Sequence, residues 1–204
     1  MMDENLFKKY RAQLEEEGID PNSKNSRDWF MDKMQEIAGE KVDQRRMMRE
    51  KPLRMSQREF IGRMYMYMYK PAGRAELPYY DMFPLVIMLE AYDGGFMGLN
   101  LHYLPIDLRQ KLFYNMLPRA SAGMDNLRWN TFLKIDYKYL KSRTTLRAYK
   151  PCVKRYRYDN IIGRIAHVPA PEWEIAVHLP TAQWRKASEA RVFKDSREIT
   201  RKNI

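Results

Sequence analysis

The sequence predicts an α+β protein in which a small, strongly bent β-barrel or sheet is flanked by helices. Methionine and tyrosine alternate strictly from Met64 to Tyr69, and a period of two places them on opposite faces of a strand. Asp93-Gly94-Gly95 is a strong hairpin signal, because glycine supplies the positive φ that tight turns need. The β-prone runs that it separates are 85–89 and 96–103. An SH3-like barrel is one form that this pattern allows.

The segments before this β unit are helical or highly charged. Residues 4–17 form a candidate short helix. A second helix is expected with Ser26 as its cap and an apolar stripe that runs from Trp29 to Ile37. The stretch 41–54 is dense in charge, and little in it can enter a core. We expect it to be a helical or extended arm.

The segments after the β unit predict helices, strands and a charged tail. One helix is expected between Pro105 and Leu117, and another from Trp129 through Phe132 and Leu133 to Lys141. The later expectations are β structure over 146–169, a helical turn at Trp173, a short helix capped by Thr181 and containing Trp184, and an extended tail from Glu189.

The chain is long enough, at 204 residues, for one substantial core or for one core with an extended arm. We therefore predict three parts. These are a helical and charged N-terminal arm over 1–58, an α+β core domain over 59–188, and a charged C-terminal tail over 189–204.

The charge of the chain predicts an anionic partner. A net charge of +11 favours nucleic acid, an acidic protein surface or an anionic membrane, without choosing among them. Cys152 is the single cysteine, which excludes an internal disulfide and a cysteine-based metal site. The start of the chain is charged, and its apolar runs are far shorter than the roughly 20 residues of a transmembrane helix. We expect a soluble protein that does not bind membranes.

Enzymatic signatures are missing from the sequence. It contains no phosphate-binding loop, dinucleotide fingerprint or nucleophile elbow. The histidines, none of which has a metal-binding spacing, are His102, His167 and His178. The neighbouring acids Asp81, Glu90 and Asp93 are better explained by turn capping and solvation than by paired catalytic carboxylates. We predict no catalytic residues, no metal, no cofactor and no small-molecule substrate.

The tyrosines of the β unit allow two interpretations. Beside basic side chains they resemble a surface on which nucleic-acid bases stack. They also suit the two sides of a packed sheet, since a tyrosine buries its ring and keeps a polar tip. We favour packing. The tyrosines concerned are Tyr65, Tyr67, Tyr69, Tyr79 and Tyr80.

A basic segment between residues 138 and 164 is the best candidate for binding. Nine basic residues are opposed there by Asp159 alone, whereas a solvated face normally mixes both signs. DNA phosphates would be bound in a sequence-independent and salt-sensitive way, and an acidic protein surface fits equally well. The candidate residues are Lys138, Lys141, Arg143, Arg147, Lys150, Lys154, Arg155, Arg157 and Arg164.

Several motifs over residues 60–188 resemble virion proteins of contractile-tailed phages of the T-even type. They begin with Gly62-x-Met-Tyr-x-Tyr-x-Tyr and Leu77-Pro78-Tyr79-Tyr80-Asp81-x-x-Pro84-Leu85. The others are Gly94-Gly95-Phe96-x-Gly98-Leu99-Asn100-x-His102-Tyr103-Leu104-Pro105, Lys150-Pro151-Cys152 before Lys154 and Tyr156, Glu172-Trp173-Glu174, and Leu179-Pro180.

This resemblance implies a non-enzymatic structural protein of a bacteriophage virion, synthesised in the host cytoplasm. One implied role is a DNA end protector that binds double-stranded DNA ends, which the positive charge favours. The alternative is a tail, neck or baseplate adaptor that binds neighbouring virion proteins in a multi-copy assembly and does not bind DNA. The polar terminal segments favour the adaptor, because such arms usually become ordered on a partner.

Overall fold

The computed structural model of the protein describes residues 5–49, 53–56, 61–121 and 132–201. Its α-helices are α1 (Leu6–Glu16), α2 (Lys24–Ala38), α3 (Gln44–Met47), α4 (Ile106–Met116), α5 (Tyr137–Ser142), α6 (Trp173–His178) and α7 (Glu189–Arg201). Its strands are β1 (Arg54–Ser56), β2 (Met64–Tyr69), β3 (Tyr80–Asp81), β4 (Leu85–Tyr92), β5 (Gly95–Asn100), β6 (Ala120–Ser121), β7 (Phe132–Leu133), β8 (Val153–Arg157), β9 (Ile161–Val168) and β10 (Trp184–Arg185). The mixture confirms the α+β class.

Six strands form one antiparallel sheet in the order β1-β9-β2-β4-β5-β8. Two small antiparallel pairs, β10 with β3 and β6 with β7, lie outside it. The predicted hairpin is confirmed, because Tyr92 pairs with Gly95 across a two-residue turn in which Gly94 has a φ of 75°. The strand predicted over 96–103 ends at Asn100, whose side chain accepts from the His102 N–H and starts a 3₁₀ turn.

The sheet is strongly bent, as predicted. β8 lies at one edge, yet only a three-residue 3₁₀ turn separates it from β9 near the other edge. The Arg157 N–H of β8 donates to the Tyr69 hydroxyl at the end of β2 over 3.2 Å, so the edge strand β8 curls back towards an inner strand of the same sheet. Register shifts in β2–β9 and β4–β5 supply part of the curvature. An SH3-like form of this sheet stays a prediction.

The two faces of β2 lie in different cores. Tyr65 and Tyr67 point into the bend of the sheet, where they pack with Phe96 and Tyr156. Met64, with the other buried methionine of β2, faces a larger core that the helices cover. The alternation therefore separates the faces as predicted, and both faces are buried.

The predicted N-terminal helices are confirmed as α1 and α2, and both pack into the larger core. Their most buried side chains are Phe7, Tyr10, Phe30 and Ile37. The predicted cap is wrong, because α2 is capped by Ser23, whose hydroxyl accepts from the Ser26 N–H. Ser26 is instead the third residue of the helix, and its hydroxyl accepts from the Ser23 N–H to complete a capping box. The charged stretch that follows also reaches the core, since Met47 is 2% exposed.

Two helical predictions after the β unit are wrong. Phe132 and Leu133 form β7 rather than a helix, because the Leu133 N–H donates to the Gly62 carbonyl over 2.7 Å and the strand pairs with β6. Only α5 remains of that helix, and residues 122–131 lie outside the described part of the chain. Trp184 belongs to β10, where pairing with Asp81 replaces the predicted helix.

The basic segment and the C-terminus also differ from expectation. Residues 146–169 contain the expected strands β8 and β9, but Thr144–Cys152 is 3₁₀-helical. The stretch from Glu189 is helix α7 and not extended. The buried face of α7 contains Val192 and Ser196, which lie one turn apart. This face packs near the Thr144–Cys152 segment, and the packing explains why the stretch from Glu189 is helical. The division at residues 58 and 188 stays a prediction.

None of the helices in the described part of the chain has both the length and the apolar composition that crossing a bilayer requires. Across the same residues, no group of three or more histidine, cysteine, aspartate or glutamate side chains is placed to hold a metal ion.

Candidate nucleic-acid interface

Strand β8 presents two arginines to solvent at the edge of the sheet. Arg155 and Arg157 are exposed, while Tyr156 between them points into the bend. Arg157 lies 3.5 Å from Asp159, but these side chains are 64% and 80% exposed, so the pair is weak. Within the described residues Arg155 has no acidic partner. Both guanidinium groups are therefore available to an anion.

Helix α5 adds cations that lie against tyrosine rings. Lys138 and Lys141 are exposed, and the Lys141 ammonium lies 5.4 Å from the centre of the Tyr137 ring. Arg143, which caps the helix, lies 5.4 Å from the Tyr139 ring. Contacts of this kind hold a cation in place without neutralising it. The segment Thr144–Cys152 then leads from α5 to β8 and carries the half-buried Lys150.

Two of the predicted residues stand apart from these. The side chain of Arg147 lies outside the described part of the chain. Arg164 lies on β9, in a groove of about 520 Å³ whose rim also contains Arg45 and Arg49. The apolar residues that line the same groove are Met48, Leu53, Met68 and Ile162. The dense charge of residues 41–54 could have pointed to Arg45 and Arg49 as further candidate residues. Sequence spacing could not show that they line the same groove as Arg164.

Lys154 differs from its neighbours because it turns towards a cavity of about 330 Å³ beside β8. Its ammonium lies 4.0 Å from the centre of the Tyr103 ring. Burial lowers the pKa of Lys154 below that of an exposed lysine. The cavity is lined by Tyr69, Pro71, Leu77, Pro78, Tyr79, Tyr80, Asp81, Asn100, Tyr103, Lys154, Arg155 and Tyr156.

A buried hydrogen-bond network supports one wall of this cavity. The Asp81 carboxylate accepts from the N–H groups of Phe83 and Gln183 and from the Asn100 amide. It also lies 2.7 Å from Nδ1 of His102. Burial alone would raise the pKa of Asp81, but His102 and these donors outweigh it and lower the pKa. Asp81 is therefore ionised and fully bonded.

His102 completes this network and is structural. Its Nε2 atom lies 2.8 Å from the Thr181 hydroxyl. Burial lowers the pKa of His102 and keeps the ring neutral, so Nδ1–H donates to Asp81 and Nε2 accepts from Thr181. The order Asp-His-Thr resembles a catalytic triad, but Thr181 is 0% exposed and no substrate reaches its hydroxyl.

The remaining histidines and acids have structural or solvent-exposed positions. His178 stacks on Phe30 at 4.6 Å, and His167 is buried beside Tyr65. Glu90 and Asp93 are exposed, whereas Asp81 is buried within its own network.

The packing interpretation of the β2 tyrosines is confirmed. Tyr65, Tyr67 and Tyr69 are at most 6% exposed and cannot offer a face to a nucleobase. Tyr79 and Tyr80 are different, because they are half-buried and lie at the cavity. Sequence reasoning grouped all five tyrosines, and only the fold separates the core tyrosines from the cavity tyrosines.

Comparison with known proteins gives one result. A family model described as the phage T4 terminal DNA protecting protein matches residues 1–200. No curated protein and no solved structure matches. The family consists of bacteriophage virion proteins that protect DNA ends, which agrees with the resemblance seen in the sequence. Since the match covers nearly all of the 204 residues, the chain belongs to the family of phage T4 terminal DNA protecting proteins.

Proposed function

We propose that the protein binds the ends of linear double-stranded phage DNA without cleaving them, through the cations of α5 and β8. We call this set the basic surface, and its members are Lys138, Lys141, Arg143, Arg155 and Arg157. The observation that carries the proposal is the lack of counter-charges. Among the described residues, the exposed Asp159 is the single carboxylate in an ion pair with this set.

The chemistry of the basic surface suits a phosphate backbone. Lysine and arginine contacts to phosphates position a protein on DNA without reading the sequence, which is what a genome end requires. The flat guanidinium groups of Arg155 and Arg157 can each bind a phosphate in a bidentate way. A protein held there would cover the terminal base pairs and deny an exonuclease access to them.

Binding to blunt-ended linear DNA and to the same DNA in closed circular form tests the proposal across a salt series. We expect tighter binding to the linear form, with an affinity that falls steeply as salt rises. Protection of the linear DNA from an added exonuclease should follow the same salt dependence. Equal binding to both forms would contradict recognition of ends.

A charge-matched pair of variants locates the surface. Changing Lys138, Lys141, Arg155 and Arg157 to glutamine should reduce the slope of log K against log salt by about 2 to 4, since each lost phosphate contact removes about 0.9. The control removes four exposed cations elsewhere, at Lys8, Lys24, Lys41 and Lys111. It has the same net charge and should change the slope by less than about 1. Equal losses in both variants would point to general electrostatics.

The same experiment bears on the alternative role as a tail, neck or baseplate adaptor. A well-folded wild-type protein that binds neither DNA form at moderate salt would favour the adaptor, with the basic surface contacting an acidic virion protein. Contacts with other virion proteins and synthesis in the host cytoplasm are parts of the proposal under either role.

A further inference from the structure

We propose that the cavity beside β8 binds the terminal nucleotide of the DNA end, with the base against Tyr79 and the phosphate at Lys154 and Arg155. The inference rests on the proposed function and adds to it a specific site for the last nucleotide. Such a site explains how the protein distinguishes a DNA end from the interior of a duplex.

The aromatic wall of the cavity is fixed and partly open. Tyr79 packs edge-on against Trp184 at 6.1 Å and lies 6.1 Å from the Tyr103 ring. Trp184 in turn packs edge-on against Tyr103 at 4.9 Å. These contacts hold Tyr79 in place, while its half-buried state leaves part of the ring at the cavity. A fixed aromatic ring of this kind can stack on an unpaired base, and such stacking does not depend on which of the four bases it is.

The cation in the cavity has no anion. Within the described part of the chain, the Lys154 ammonium forms no hydrogen bond and no ion pair, and it lies against the Tyr103 ring. Of the carboxylates near the cavity, Asp81 is committed to His102 and to its other donors, and Asp195 interacts with the Tyr79 hydroxyl and pairs with Arg191. A half-buried ammonium without a partner is costly, and a phosphate would restore the interactions lost with water. Arg155, exposed at the same cavity, supplies a second charge.

The position and size of the cavity favour one nucleotide over a longer strand. Its volume of about 330 Å³ is at the small end for ligand sites. Arg155 lines the cavity and also belongs to the basic surface, so a duplex bound at α5 and β8 would bring its end to the opening. An internal nucleotide would have to leave two stacking neighbours, whereas a terminal one leaves a single neighbour. The cavity therefore selects ends.

The test uses duplex DNA with the fluorescent base 2-aminopurine at the terminal or at an internal position. Stacking on tyrosine should reduce the emission of the terminal base severalfold, and the internal base should change little. Tyr79→Phe keeps the ring and should keep the quenching. Tyr79→Leu should abolish it and weaken end binding about tenfold, while the salt slope set by the basic surface stays the same.

Two further variants guard against misfolding of Tyr79→Leu. Leu77 is 38% exposed at the cavity, so Leu77→Glu places a negative charge at the opening without disturbing the core. It should also abolish the quenching. Lys154→Met keeps the packing on Tyr103 and should weaken end binding about tenfold through loss of the phosphate contact. Quenching that survives in both Tyr79→Leu and Leu77→Glu would overturn the site.

The failure of this site can be told from the failure of end binding. End-specific binding by the wild type without terminal quenching would overturn the nucleotide site and leave the proposed function standing. If the wild type does not bind DNA ends, a titration with free 2-aminopurine deoxynucleoside monophosphate tests whether the cavity binds a nucleotide. Quenching that Tyr79→Leu removes would then support a nucleotide site alone, and the absence of quenching would overturn it.

Discussion

Asp81 and His102 share a 2.7 Å hydrogen bond in the interior, where their side chains are 1% and 0% exposed. The bond joins β3 to the turn after β5, and Thr181 extends it to the segment before β10. Three separate parts of the chain thus meet at one ionised carboxylate beside the proposed nucleotide site.

Asp81→Asn should destabilise the protein. The amide would place two N–H donors where the Phe83, Gln183 and Asn100 donors already converge, leaving buried polar groups unpaired. We expect a loss of about 3 kcal/mol in the free energy of unfolding, measured by urea denaturation. The control Asp159→Asn alters an 80% exposed side chain and should change stability by less than about 0.5 kcal/mol. Similar values for both variants would refute the structural role of the network.

Gly62→Ala should also destabilise the fold. Gly62 has a φ of +81°, and a Cβ atom there would lie 2.0 Å from the Leu133 carbonyl oxygen. Backbone strain and the displaced β7 should together cost about 2 kcal/mol or more. Gly73→Ala serves as control, because nothing lies within 4 Å of its added methyl group. Thermal melting of the two variants should differ clearly, and equal melting temperatures would contradict this geometry.

The stability of the protein should depend on His178 in mild acid. Its Nδ1 atom lies 2.6 Å from the Glu174 carbonyl, so it donates there, and burial lowers the pKa of His178 to about 4. The unfolded chain takes up this proton near pH 6.5, so it binds more protons than the folded chain between pH 4 and 6.5. The free energy of unfolding should therefore fall as pH drops through that window, by about 3 kcal/mol from this group.

Comparison with His178→Asn isolates this contribution. The variant should be less stable at pH 7, and its difference in stability from the wild type should shrink as the pH falls from 7 to 4. Burial raises the pKa of Glu172 to about 7, which gives an opposite slope in both proteins and cancels in the difference. Parallel urea-denaturation curves across pH would show that His178 is not the group responsible.

The Cys152 thiol should be inert in the folded protein. It is 0% exposed, and burial raises its pKa to about 12. At pH 8 only about one thiol in ten thousand would be ionised, and reagents react with the thiolate. An aromatic disulfide reagent should react in 6–8 M urea, at about one equivalent per chain, and not in buffer. Rapid reaction in buffer would contradict the packing of the Thr144–Cys152 segment.

The parts of the fold that sequence could predict are those with dense local signals. The alternation of methionine and tyrosine predicted β2, and the Asp93-Gly94 turn predicted the β4–β5 hairpin. Apolar stripes at helical spacing predicted α2 and α4. The failures lie where distant pairing decides the local structure. Trp184 lies in a strand because it pairs with Asp81. Helix α7 was missed because its few large apolar residues, among them Val192 and Phe193, are outnumbered by charged ones.

The candidate site shows the same limit. The sequence pointed to the exposed cations of α5 and β8, because a run of basic residues with almost no acidic ones can be recognised without a structure. Lys154 was counted with them, although the fold turns it towards Tyr103. The cavity joins Tyr79, Tyr103 and Lys154, which no spacing rule connects.

The joining of α1 and α2 to α6 has a consequence for how the chain folds. The Asn22 N–H donates to the Glu174 carboxylate across 152 positions of the sequence, and Arg11 forms an ion pair with Glu172. During translation, α1 and α2 are made long before their binding partner α6. We expect the oldest segments of the nascent chain to become stable last, with their apolar faces uncovered until α6 emerges.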